Sequence, residues 1–232
     1  MTKDQNEIIV RYLGSAEISI NHQVFQEASE QLESQRERFS ALPAHSVDLD
    51  RVWRHRILAS NSLRSGKQSE GWDAASQYLA KQVGDGNKPS LASVEQVNCL
   101  LSGKPPKLRD FPIFTANEEY VSPQFVPELW ELLGDKLSDE RTHPLFQSFY
   151  AYLAIVTIHP FANANGRTAR LIADWLLLMD GWLPLTFPSP IASHVAQTIG
   201  GVRRDVTQSF KTFVAAVSHS YDLAGPTNGE TT

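Results

Sequence analysis

Two apolar segments, Phe149 to Ile158 and Leu171 to Met179, flank a polar stretch that reads His159-Pro160-Phe161-Ala162-Asn163-Ala164-Asn165-Gly166-Arg167-Thr168-Ala169-Arg170. Neither segment is long enough to cross a bilayer, and both are too apolar for a surface, so each predicts a helix buried against other helices. Pro160 stops the first, because its nitrogen has no hydrogen to continue the ladder. Asn165-Gly166-Arg167 opens the second. The stretch between them is therefore a loop wedged between two buried helices.

Helical spacing dominates the rest of the chain too, so the expected fold class is all-α. Val24 to Phe39 carries Glu, Gln and Arg between apolar positions three and four apart, as an exposed amphipathic helix requires. After Pro43 and Ala44-His45-Ser46 a second helical run extends from Val47 to about Arg64, and a third from Glu70 to Val83. Gly84-Asp85-Gly86-Asn87-Lys88-Pro89 breaks the pattern and divides the chain into an N-terminal helical region, 1–88, and a core, 89–222. Ser93 with Gln96 three residues on forms a candidate capping box. Between Gly103 and Pro127 the prolines 105, 106, 112, 123 and 127 interrupt any helix, while Phe111, Ile113, Phe114, Tyr120 and Val121 favour extended chain. A small hairpin bending at Ala116 to Glu119 and a plain connecting loop both fit that composition. Helices resume over Pro127–Leu137, Leu145–Ile158 and Asn165–Met179. Gly181 ends the last of these, Pro184, Pro188 and Pro190 follow, and a final helix is expected over Val202–Tyr221, with residues 223–232 as a disordered tail.

A length of 232 residues suits one good-sized domain, and 41% hydrophobic residues supply its core. The net charge of −5 argues against a nucleic-acid or membrane-surface partner. The start, MTKDQNEIIVRYLG, carries acids and amides where an export signal needs a basic start and an apolar core, which makes the cytoplasm the expected compartment. The single cysteine, Cys99, excludes an internal disulfide and a multi-cysteine metal site.

The polar loop concentrates the chemistry. His159 can take a proton from a hydroxyl near neutral pH, or can serve as a structural histidine at a helix end. Ala164 and Gly166 are small enough to let a phosphate approach the backbone, whose N–H groups at a helix start face an anion. Asn165 can donate its amide to a phosphate oxygen or cap the helix. Arg167 and Arg170, three apart, share one face of the first turn, and two cations there oppose the helix dipole unless an anion is bound. The bland alternative for Arg170 is an ion pair with Asp174, four residues on.

In order and spacing the loop resembles the signature of the Fic family, His-Pro-Phe-x-(Asp/Glu)-(Gly/Ala)-Asn-Gly-Arg-x-x-Arg, at every position but one. The surroundings, from Ser93-Val94 through 107–121 and Val126-Pro127 to Gly181-Trp182-Leu183-Pro184, are similar to the family as well. The resemblance implies a Fic-fold helical bundle with a β-hairpin flap and an N-terminal helical extension, which moves a nucleoside monophosphate, typically AMP from ATP, onto a Ser, Thr or Tyr hydroxyl of a target protein. It casts His159 as the general base. Ala164, Asn165 and Gly166 would hold the α-phosphate, and Arg167 and Arg170 the outer phosphates. Lys107, Leu108, Arg109, Phe111 and Ile113 would belong to the flap that aligns the target segment by strand addition.

Asn163 is the departure, since the family places Asp or Glu there to hold Mg²⁺. An amide oxygen is a neutral ligand without the charge attraction of a carboxylate, so the expected Mg²⁺ dependence is weakened. The same departure leaves open another phosphate-containing donor, or a catalytically weak protein that binds nucleotide or a partner as a regulator. Many members also carry an inhibitory helix with the pattern Ser/Thr-x-x-x-Glu. Ser60 to Gly66 resembles its remnant, with Arg64 where the glutamate would stand. A homodimer is compatible with all of this and required by none of it.

Overall fold

The computed structural model describes residues 3–16, 20–43, 47–61, 69–115 and 118–226. Among these, ten α-helices and one two-residue ladder account for the regular structure. Four helices precede the glycine-rich turn: α1 Lys3–Gly14, α2 His22–Ser40, α3 Leu49–Asn61 and α4 Ser69–Gly84. Then come α5 Leu91–Ser102, α6 Val126–Ser138, α7 Pro144–Ile158, α8 Asn165–Met179, α9 Pro190–Thr198 and α10 Val206–Ala224.

The pair α7 and α8 is the centre of the bundle, as the two apolar segments require. Every residue of α7 from Leu145 to Ile158 is buried except the half-buried Gln147, and one polar side chain within it, Ser148, donates to the Ala173 carbonyl of α8 at 2.8 Å. A five-residue π turn, Ile199–Arg203, lets another chain segment approach α7 closely. A β-carbon on Gly201 would sit 2.5 Å from the Val156 carbonyl oxygen, so only glycine fits that contact.

The outer helices lean on this pair. Tyr12 of α1 donates to the Gly200 carbonyl at 2.9 Å, and Phe25 and Phe39 of α2 pack on Phe210 and Tyr221 of α10. One hydrophobic core runs from Ile9 to Ala224 without interruption at the turn 84–89. That turn is itself stitched to the centre, because Trp175 Nε1 donates to the Asn87 carbonyl at 2.7 Å and Tyr78 meets Trp175 edge to face.

Four local expectations are corrected. The cap of α5 is Ser90, not Ser93; the two exchange hydrogen bonds as cap and third residue, so the box starts three residues earlier. Pro190 is no breaker but the first residue of α9, capped by Ser189 Oγ on the Ala192 N–H, the position where proline's missing hydrogen costs nothing. The final helix begins at Val206, capped by Asp205 on Gln208 N, since the π turn and Arg204 at φ 56 occupy the residues before it. The hairpin is shorter and later than 107–121: Phe114 pairs with Glu119 and Thr115 with Glu118, and Ile113 O accepts from Tyr120 N at 3.2 Å. Of the inhibitory-helix remnant, Ser60 falls in the last turn of α3, while Arg64 lies outside the described residues.

Candidate active site

The loop 159–164 is bounded by two residues in left-handed backbone, His159 at φ 51 and Ala164 at φ 64, neither of them glycine. Each such conformation costs about 1 kcal/mol or more and persists only where its surroundings impose it. Arg109 imposes the first. Its guanidinium is 3% exposed and donates to the carbonyls of His159 (2.7 Å), Ile158 (3.2 Å), Phe111 (2.9 Å) and Val121, while its own backbone N–H donates to Pro160 O at 2.8 Å. Burial pushes its pKa below the usual arginine value. Arg109 is thus a brace under the loop, not a surface of the hairpin that meets a target.

Asn165 imposes the second. Its Oδ1 accepts from Phe161 N at 2.9 Å and its Nδ2 donates to Phe161 O at 2.8 Å, so the side chain staples the loop across four residues. The staple uses Oδ1 and one of the two Nδ2 hydrogens, so the side chain serves the loop first. Phe161 plugs the loop into the core edge-on to Trp130. Asn98 of α5 completes the frame, donating to Asn163 O and to Thr168 Oγ1, both at 3.0 Å. Sequence reasoning passed over Asn98; an amide set directly in the apolar stretch Val97 to Leu101 was the available signal.

His159 closes α7 as its C-cap, with its N–H on Ile155 O at 3.0 Å. Its Nδ1 faces the Val156 carbonyl at 3.5 Å, which favours the proton on Nδ1 and the lone pair on Nε2, the tautomer of a base. Tyr120, at the end of the hairpin, stacks on the imidazole with centroids 4.0 Å apart.

The start of α8 carries no side-chain cap, because Ala164 has nothing to offer its first N–H groups. Those donors are the raw material of an anion site. The approach is covered at Gly166: a β-carbon there would fall 2.5 Å from the Gln197 amide of α9, which rests on the glycine. Gln197 was not singled out by sequence, since α9 itself was not.

The two arginines are largely buried. Arg167, 8% exposed, donates to the Leu101 carbonyl at 3.3 Å, near the C-terminus of α5 where a cation meets the helix dipole. Arg170, 7% exposed, donates to Ser193 Oγ at 2.8 Å and lies over the Trp72 ring. Burial is the main reason its pKa falls to about 10, so it stays cationic at neutral pH. Asp174 is not its partner. The carboxylate is fully buried, pairs with Arg56 of α3 and accepts from Leu185 N at 2.7 Å.

Asn163 turns its Oδ1 back onto the Ala164 N–H at 2.8 Å. It is the loop's one side-chain oxygen at that position and it is neutral, and among the described residues no group of three or more His, Cys, Asp or Glu could hold a metal. The residues present do not by themselves make a Mg²⁺ site. Of the hairpin positions, Lys107 pairs with Asp110 in solvent, Leu108 packs on the core, Ile113 is half-buried, and Phe111 and Phe114 are exposed.

This arrangement has relatives. The profile of the Fic/DOC family matches residues 79–177, the stretch that holds α5, the hairpin, the loop and most of α8. Residues 79–177 are a Fic/DOC-family segment. Protein adenylyltransferase fic-1 of Caenorhabditis elegans is 26% identical over 142 residues, which cover 57% of this chain and 28% of that protein. Protein adenylyltransferase Fic of Drosophila persimilis is 44% identical over 46 residues. This chain therefore spans well under a third of the length of the curated relatives it matches. A solved structure of C. elegans Fic-1 superposes with a TM-score of 0.59 at 20% identity over 86% of this chain and 72% of that one. A Fic-domain signalling protein from Bacteroides thetaiotaomicron gives 0.59 at 13% identity over 84% and 97%. The fold is the all-α Fic fold.

Proposed function

We propose that this Fic protein is a protein adenylyltransferase, moving AMP from ATP to a Ser, Thr or Tyr hydroxyl of a target protein. One observation carries the reading: an imidazole and an uncapped helix start belong to one loop, braced from both ends. In the transfer, the target hydroxyl oxygen attacks the α-phosphorus, its proton passes to His159 Nε2, and the bond to the β-phosphate oxygen breaks to release pyrophosphate. The backbone N–H groups at the start of α8 stabilise the charge that grows on the α-phosphate oxygens. Arg170, and Arg167 if it leaves Leu101 O, neutralise the outer phosphates. No step is assigned to Mg²⁺. Phe111 and Phe114 on the hairpin give a target segment an apolar edge to pair along. The names of the relatives support the donor and the transferred group.

The test is transfer of label from α-labelled ATP to protein in a cell lysate. Wild type labels a discrete set of proteins, and His159→Ala abolishes that labelling. If no donor nucleoside triphosphate gives His159-dependent labelling while nucleotide still binds, the transferase reading fails. The Gln197 amide resting on Gly166 favours a second reading, a Fic protein kept weak by that contact while it holds nucleotide as a regulator; Gln197→Ala then raises labelling above the wild-type level.

A further inference from the structure

We infer that Arg56 is a positioning residue that keeps Asp174 away from Arg170, so that the Arg170 guanidinium is held toward Ser193 and Trp72 and not along its own helix. The inference rests on the proposed use of Arg170 as an anion ligand.

Asp174 stands four residues after Arg170 on α8, the spacing at which an arginine and a carboxylate on one helix face ordinarily meet. Both are buried, and an opposite charge in a dry interior attracts strongly. The default outcome is a pair along the helix. The structure shows a different one. Arg56 reaches in from α3 with a side chain 2% exposed, donates through Nη2 to Asp174 Oδ2 and through Nε to Leu185 O at 2.9 Å. Leu185 N in turn donates to Asp174 Oδ1 at 2.7 Å. Each carboxylate oxygen thus has a donor, both on the side facing α3 and the segment after α8. Arg170 points to Ser193 and stacks on Trp72, whose ring is also within 5.7 Å of the Arg56 guanidinium. Arg56, Trp72, Arg170, Leu185 and Phe187 line one narrow cavity.

Removing the Arg56 guanidinium leaves a buried carboxylate whose nearest cation is Arg170. Asp174 then recruits it, and an anion at the start of α8 loses a ligand. Removing the carboxylate as well gives Arg170 back. That crossed dependence separates positioning from mere support of the fold, for which two losses would add.

The experiment has two readouts on the intact chain: side-chain ¹⁵Nε–¹H spectra of ligand-free protein, with the Arg170 signal assigned by its absence in Arg170→Lys, and calorimetric titration with ATP. In Arg56→Gln the Arg170 signal moves and ATP affinity falls by about tenfold, the size of one charge-assisted contact. In Arg56→Gln/Asp174→Asn both return to near the wild-type values. Arg56→Lys against Arg56→Lys/Asp174→Asn makes the same comparison with a smaller step, should Arg56→Gln fail to fold. An Arg170 signal unmoved in the single variant, or a double variant no better than the single, overturns the inference. If wild type binds no ATP, the nucleotide reading falls instead, while the spectra still decide the role of Arg56.

Discussion

Residue by residue, the site is made of side chains whose polar atoms are spent on the backbone. Asn165 staples Phe161, Asn98 ties Asn163 to Thr168, and Arg109 holds four carbonyls. The residue types were readable in the sequence; their assignments were not, because an amide or a guanidinium suits an anion and a buried carbonyl equally well. Only packing decides between them. Asp174 illustrates the cost of such burial. Desolvation pushes its pKa up to about 6 from 3.8, against the opposing pull of Arg56 and Leu185 N. A raised carboxyl pKa means that the folded chain holds the proton more tightly than the unfolded one. Its contribution to stability is therefore full below pH 3.8 and is lost as pH rises through about 6. Urea denaturation of wild type and Asp174→Asn across pH 4 to 7 should show the difference between the two falling over that window. A difference that rises instead would show that the ion pair outweighs the desolvation.

At the scale of elements, helices with strong periodicity were legible and their ends were not. The central pair was marked by apolar content alone, and α8 was placed to the residue. The helix α9 escaped because its first residue is a proline among prolines, and composition cannot distinguish a proline that ends a helix from one that begins it. The hairpin, left open against a plain loop, resolves into a ladder of two residue pairs. Element contacts also set a second pH response. His55 of α3 and His219 of α10 meet edge to face with both Nε2 atoms buried and without hydrogen-bond partners. Burial, then His55, lower the pKa of His219 below 6.5; Arg51 acts in the same direction and Asp222 against it. A lowered histidine pKa stabilises the fold above 6.5 and the benefit is lost as pH falls through the folded value. Hydrogen-exchange protection in α3, corrected for the intrinsic rate at each pH, should fall as pH drops below 6.5, and His219→Phe should remove most of that fall.

Over the whole molecule, one hydrophobic core joins the helices before residue 84 to those after it, so the parts that present the site cannot be peeled from the parts that brace it. Arg109 is the sharpest case, linking the root of the hairpin, the end of α7 and the loop. Arg109→Met should destabilise the chain by about 3 kcal/mol, the cost of leaving buried carbonyls without a donor. Hydrogen exchange should rise together over 108–121 and 158–165; a rise confined to one of the two would show that they are not coupled. Against this rigid frame, the amide of Gln197 on Gly166 is half-buried and makes no hydrogen bond to another side chain or carbonyl among the described residues. Opening the helix start to a phosphate is then a rotamer hop, an event on the picosecond to nanosecond scale, and no helix has to move before the anion arrives.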